Sequence, residues 1–185
     1  MGYKQALEKA WNDISELTKE KSLPIKFLFD QYKIKLGNKK VILLSCDSPV
    51  KDFVTILILH YLTKKLKLKD LPAPAGEWIS FKEIDGGDFY YPVFKKRAIN
   101  VIFKKFGSNP DALAVSARRF NAKSSEIGDK GIIIEPFEKI PILITIWKGD
   151  DELPGEADIL FDRDIPQIFC TEDIVVLTET LVHLL

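Results

Sequence analysis

Two apolar runs constrain this chain more than any other feature: G-I-I-I-E at 131–135 and P-I-L-I-T-I-W at 141–147. Runs with so few alternating polar positions do not suit a half-solvated sheet, so both are predicted as strands inside a sheet, joined through P-F-E-K-I. The second run leads into W-K-G-D-D-E-L-P-G-E-A-D-I-L-F-D at 147–162, a carboxylate-rich loop followed by a third short strand at 158–161. Charge divides along the chain. Residues 1–105 hold 20 Lys/Arg against 12 Asp/Glu, and residues 106–185 hold 7 against 15. Since the totals balance at 27 each, the two parts can attract one another within one fold, which argues against a nucleic-acid face.

Helical spacing over 4–20, with Ala6, Leu7, Ala10, Trp11, Ile14 and Leu17 on one stripe, predicts an amphipathic helix that Pro24 keeps from continuing. Tyr32, Ile34 and Leu36 then alternate with lysines. Gly37-Asn38 and the apolar stretch 41–44 predict a hairpin with a two-residue turn. Residues 51–66 are apolar enough for a central helix, with lysines at its end complementing the helix dipole. The stretch 71–92 holds three prolines and three glycines and predicts a long ordered loop with an extended piece at 78–81. Helices are predicted at 91–106, with Val93, Phe94, Ala98, Ile99, Ile102, Phe103 and Phe106 inward, and at 110–120 behind an Asn109 cap. Thr171 is predicted to cap a last helix that buries Ile174, Leu177, Leu181 and Leu184. This order indicates an α+β class: one domain over 1–185, with a weaker subdivision near 107–110, and a mixed or antiparallel sheet with an N-terminal hairpin. A chain of 185 residues with 46% hydrophobic content can bury a sizeable core.

The opening M-G-Y-K-Q-A-L-E-K-A-W lacks the charged head, apolar run and cleavage site of a signal peptide. The longest nearly unbroken apolar run, 56–59, falls far short of the ~20 residues that span a bilayer. A cytoplasmic protein that does not enter the membrane is expected. Cys46 and Cys170, outside any C-x-x-C, are expected to be buried free thiols.

Several stretches carry polar groups that could do chemistry. Asp150, Asp151, Glu152, Glu156 and Asp158, with Asp162 and Asp164 beyond, offer oxygen ligands for a hard cation if the backbone gathers them. The spacing is not that of an EF-hand, and such carboxylates serve equally to cap backbone N–H groups or pair with cations. Glu77-Trp78, on a loop held by Gly76, could wall a ligand cleft. His60 sits in the most apolar helix and reads as a hydrogen-bonded core residue. With His183 the only other histidine, and no H-E-x-x-H, no metal centre is expected. Hydrolase-elbow, P-loop and dinucleotide motifs are absent, and Ser45-Cys46-Asp47 has no base to activate it.

L-I-L-H-Y-L at 57–62, G-E-W-I-S-F-K-E-I at 76–84, G-G-D-F-Y-Y-P-V-F at 86–94, the acidic stretch 147–162 and T-E-D-I-V-V-L at 171–177 resemble the prokaryotic domain-of-unknown-function family 3786. The resemblance implies a cytoplasmic protein of an anaerobic prokaryote and lends no catalytic residue. Some relatives look as though they carry an added iron–sulfur segment; here two cysteines cannot supply four thiolates.

The function expected from these residues is non-catalytic. It is a small-ligand- or partner-binding domain whose surface lies between the Glu77-Trp78 loop and the acidic loop 149–158, with Glu77, Trp78, Asp150, Asp151, Glu152 and Asp162 as ligand-binding candidates. The alternative is a divalent-cation-dependent hydrolase or transferase that uses the carboxylates of 149–164. No particular cofactor is implied.

Overall fold

The structure is a computed structural model that describes residues 3–46 and 48–185; Met1, Gly2 and Asp47 lie outside them, and with Asp47 part of the Ser45-Cys46-Asp47 stretch. The chain divides into two compact units, Met1–Ala73 and Pro74–Leu185, and the 107–110 stretch falls inside the second. Its class is α+β, and both of its sheets are antiparallel.

In the first unit α1 (Tyr3–Ser15) buries Ala10, Trp11 and Ile14 and packs against α2 (Asp52–Lys67), whose apolar run from Val54 through Leu59 is buried. His60 is half-buried rather than enclosed. The sheet runs β1 (Ser22–Phe27), β2 (Asp30–Lys35), β3 (Lys40–Leu43) and β4 (Ser48–Pro49) in that order. Pro24 lies in the edge strand β1, where a residue without an N–H is tolerated.

The hairpin at Gly37-Asn38 exists with a different turn. Lys35 pairs with Lys40, which leaves four loop residues, and Lys39 rather than Gly37 takes the positive φ, at 50°. The two-residue turn is Leu28-Phe29 between β1 and β2, with Leu28 at φ 57°. A left-handed leucine costs about 1–2 kcal/mol, and burying its side chain, 4% exposed here, offsets that by about 1.5–3 kcal/mol. No Gly or Asn marks such a turn, so the sequence pattern passes over it.

The second unit is a five-stranded sheet in the order β5-β9-β8-β7-β6, built from β5 (Trp78–Ser80), β6 (Lys123–Ser125), β7 (Lys130–Phe137), β8 (Ile140–Trp147) and β9 (Glu156–Asp162). The two apolar runs are β7 and β8, and β8 is central and buried from Ile140 to Ile146. The P-F-E-K-I connection tightens to Glu138-Lys139, since Phe137 pairs with Ile140 and Lys139 takes φ 64°. Strand β6 has no apolar residue to announce it.

Helix α5 (Asp111–Ala117) has no side-chain cap, so Asn109 contributes only its carbonyl, to Ala112 N–H. Helix α6 (Thr171–Leu184) buries Ile174, Leu177 and Leu181, while Leu184 is half-buried. Cys170 occupies its N-cap position, and the Thr171 hydroxyl instead donates to the Asp85 carbonyl at 2.6 Å. Both cysteines are free but exposed, contrary to expectation: one lies in the turn after β3 and the other at a helix start. No described helix is long and apolar enough to cross a membrane.

Two outcomes test this packing. Thr145 in β8 is fully buried and its hydroxyl has no hydrogen-bond partner. Thr145→Val should therefore raise the unfolding free energy by about 1 kcal/mol in urea titrations. Burial first, then the Asp30 carboxylate and Cys46, push the Tyr32 phenol from 10.0 up to about 12. Its contribution is fully present below the unfolded value and is lost as pH rises through about 12. Urea midpoints through the alkaline range should fall less steeply in Tyr32→Phe.

Candidate functional site

Strand β5 pairs with β9 only through Trp78↔Asp162, Ile79↔Phe161 and Ser80↔Leu160. Beyond Ser80 the chain turns away, because Ser80 and Glu83 form a capping box in which the Ser80 N–H donates to Glu83 Oε1 at 2.7 Å. Gly87 then starts α3 (Gly87–Phe94) directly on the 3-10 turn Phe81–Glu83; a Cβ there would stand 1.9 Å from the Phe81 carbonyl oxygen. As a result, residues 156–159 of β9 have no strand along their outer edge.

The polarity of that edge follows from the pairing. Arg163 N–H donates to the Glu77 carbonyl at 2.9 Å, so the odd-numbered residues of β9 turn their N–H and C=O toward β5. Past the end of β5 this geometry aims the same groups of Ala157 and Ile159 outward. Asp158 Oδ1 accepts the Ile159 N–H at 2.8 Å. The Ala157 N–H and C=O have no strand partner on that side.

A long helix runs along this edge, and it is not a regular one. After α3 the backbone widens into a π segment, Lys95–Ile99, before α4 (Asn100–Phe106), and the Asn100 N–H reaches back five residues to the Lys95 carbonyl. In an unbroken α-helix each fourth residue advances about 40° beyond a full turn, so a row at that spacing spirals away from its neighbour. The wider π turn takes that drift back. Tyr91, Lys95, Ile99 and Phe103 therefore all face one cleft of about 280 Å³, which Asn100, Trp147, Gly155, Glu156, Ala157 and Asp158 complete. Val93, which lies before the π segment, and Phe103, on the cleft, are both exposed, whereas the apolar spacing places them in the core.

Beside the cleft, the Phe81 and Phe94 rings stack with centroids 4.1 Å apart, and both lie tilted against Phe161 of β9. All three are essentially inaccessible, so the helix is anchored to the strand. At the other end the acidic loop closes on two glycines: a Cβ on Gly149 would lie 2.4 Å from the Gly155 nitrogen, and one on Gly155 would lie 2.8 Å from the Gly149 nitrogen. The backbones meet where no side chain fits.

Burial pushes the Asp158 carboxyl above the usual carboxylate range, and Glu156 adds to this, while the Ile159 N–H and the cations Lys82 and Lys95 pull the other way. The Tyr91 phenol is pushed up as well, first by burial and then by Asp158 and Glu156. Lys82 Nζ lies 4.3 Å from the Tyr91 ring centroid. The cleft thus sets two carboxylates on the strand against an ammonium on the helix, between aromatic and aliphatic walls.

Of the residues singled out from the sequence, only Glu156 and Asp158 line this cleft. Asp162 is buried and accepts three backbone N–H groups, from Ala75 at 3.1 Å, Gly76 at 2.8 Å and Asp164 at 3.1 Å. Asp150 accepts from Glu152 and Leu153, which holds its carboxyl below the usual range. Glu77 pairs with Arg163 at 2.9 Å on an exposed surface, an arrangement that contributes at most about 1 kcal/mol. Trp78 is half-buried in β5, and Asp151 and Glu152 are exposed on the loop. Tyr91, Lys95, Asn100 and Trp147 were not singled out; the spacing of Tyr91, Lys95, Ile99 and Phe103 by fours carried the signal. Among the described residues, no three His, Cys, Asp or Glu side chains are grouped to hold a metal ion.

The model of the family described as Domain of unknown function (DUF3786) matches residues 8–184. The chain belongs to the DUF3786 family. No curated protein and no solved structure matches it. The DUF3786 match covers nearly the whole chain, including Tyr91, Lys95, Trp147, Glu156 and Asp158, so all five fall within the matched sequence.

Replacing Asp162 by Ala leaves three N–H groups without their acceptor and should cost about 3 kcal/mol in urea unfolding, with Asp162→Asn recovering part of it.

Proposed function

We propose that this chain is a non-catalytic small-ligand-binding module whose site is the cleft between β9 and the helix from Tyr91 to Phe103. One observation carries the reading: charges of both signs, an amide, aromatic walls and an open strand edge converge on one concave space of about 280 Å³. Small-molecule sites combine an apolar lining with a few convergent polar groups in this way. The surface lies beside the acidic loop and draws on its last residues, with Trp147 in place of Trp78 as the aromatic wall.

The divalent-cation-dependent enzyme has less support. Asp162 is already engaged on both oxygens by backbone N–H groups, Glu156 and Asp158 share the cleft with Lys95, and among the described residues no three carboxylates of the segment are grouped. A prokaryotic cytoplasm suits a protein with two exposed free thiols.

Saturation-transfer NMR with a small-molecule fragment set, run on the parent and on Trp147→Ala, tests the reading. A subset of fragments should bind the parent and lose its signal in the variant. Identical spectra for both proteins, or no bound fragment, would remove the site. A second measurement concerns stability. Because burial raises the Asp158 value, the uncharged form is favoured in the fold, and that contribution is present below the ordinary carboxylate range and is lost as pH rises through the folded value. At neutral pH Asp158→Asn should then melt no lower than the parent while binding cleft fragments more weakly; a large drop in Tm would contradict the assigned environment.

A further inference from the structure

From the geometry of this cleft we infer that its ligand is a free α-amino acid with an apolar, preferably aromatic, side chain; the inference rests on the small-ligand reading above. The charge arrangement comes first. Glu156 and Asp158 project from the strand, and Lys95 faces the cleft from the helix. A simple anion placed there meets two carboxylates, and a simple cation meets the lysine. A compound carrying both an ammonium and a carboxylate satisfies both walls.

The open edge adds a second, independent requirement. Ala157 presents an N–H and a C=O on the same side, where the register would bring the third residue past Ser80 if β5 continued along the edge. An α-amino acid carries an acceptor carboxylate and a donor ammonium on one carbon, so it complements this pair as a single added strand residue would. Asp158 has already closed the next N–H toward β5, that of Ile159, so the addition does not extend in that direction. The volume agrees, since about 280 Å³ lies just under the ~300–1,000 Å³ of drug-sized sites and suits a single small molecule. Trp147 and Phe103 then receive the side chain.

Isothermal titration of the full chain with L-phenylalanine, L-tryptophan and L-leucine, beside hydrocinnamate, which lacks the ammonium, and phenethylamine, which lacks the carboxylate, tests this directly. The zwitterions should bind at least about tenfold more tightly than either analogue. Lys95→Met should abolish the preference over phenethylamine and Asp158→Asn the preference over hydrocinnamate, each with Tm retained. N-acetylphenylalanine amide should bind poorly; if it binds as well as phenylalanine, the site reads a peptide and the inference falls. It also falls if the zwitterions bind no better than their analogues. In that event, fragments that still depend on Trp147 would keep the small-ligand reading standing, and a cleft that binds neither set would end both.

Discussion

The Asp162 carboxylate holds together the part of the molecule on which everything else in the second unit depends. It sits almost inaccessible at the end of β9 and accepts N–H groups from Ala75, Gly76 and Asp164, so it fixes the Pro/Gly-rich segment against the strand at one point. From that point β5 can run for only three residues before the Ser80/Glu83 capping box turns the chain off the sheet. A buried carboxylate is costly unless its oxygens are occupied, and three N–H groups occupy them here. The early departure of β5 leaves the first half of β9 exposed along its edge. That edge is normally a liability, and a covering helix is one of the ways proteins manage it.

The covering helix does more than shield the edge, because its hydrogen-bond ladder changes period where it passes Ala157 to Ile159. Lys95–Ile99 is wound as a π segment, a form rarely kept without a reason, and its effect is to hold Tyr91, Lys95, Ile99 and Phe103 in one row. The stacked Phe81 and Phe94 rings and the Phe161 side chain keep that row in register with the strand. Lys105 continues the same helix and donates to the Val182 and His183 carbonyls, which ties its far end to the last turn of α6. The cleft is therefore framed by rigid elements, as a preorganised site requires.

Periodicity made the sheet interior and the main helices legible, since I-I-I and I-L-I-T-I allow little but buried strands and 51–66 little but a central helix. Turns were legible only where they used turn residues. Leu28 and Lys139 adopt positive φ without being glycine, and burial or a tight register, not local propensity, holds them there. The π segment escaped for a related reason: at a fixed period of 3.6 a row of every fourth residue drifts around the helix, and only the wider turn keeps Tyr91, Lys95, Ile99 and Phe103 on one cleft. The acidic stretch supplies two carboxylates that line the cleft, but its sequence does not show how the backbone engages each one. Asp150 and Asp162 look like Glu156 and Asp158 in the sequence, and only the backbone around them shows that Asp162 has both oxygens engaged by N–H groups, whereas Asp150 and Asp158 each engage one.

The central claim is that β9 is an edge strand over its first half and a paired strand over its second, and amide hydrogen exchange reads this residue by residue. In the free protein the Phe161 amide, which faces Ile79 of β5, should be strongly protected, while the Ala157 amide two positions earlier on that side should exchange orders of magnitude faster. Equal protection at Ala157 and Phe161 would mean that the edge is already closed, and the cleft as described here would not exist.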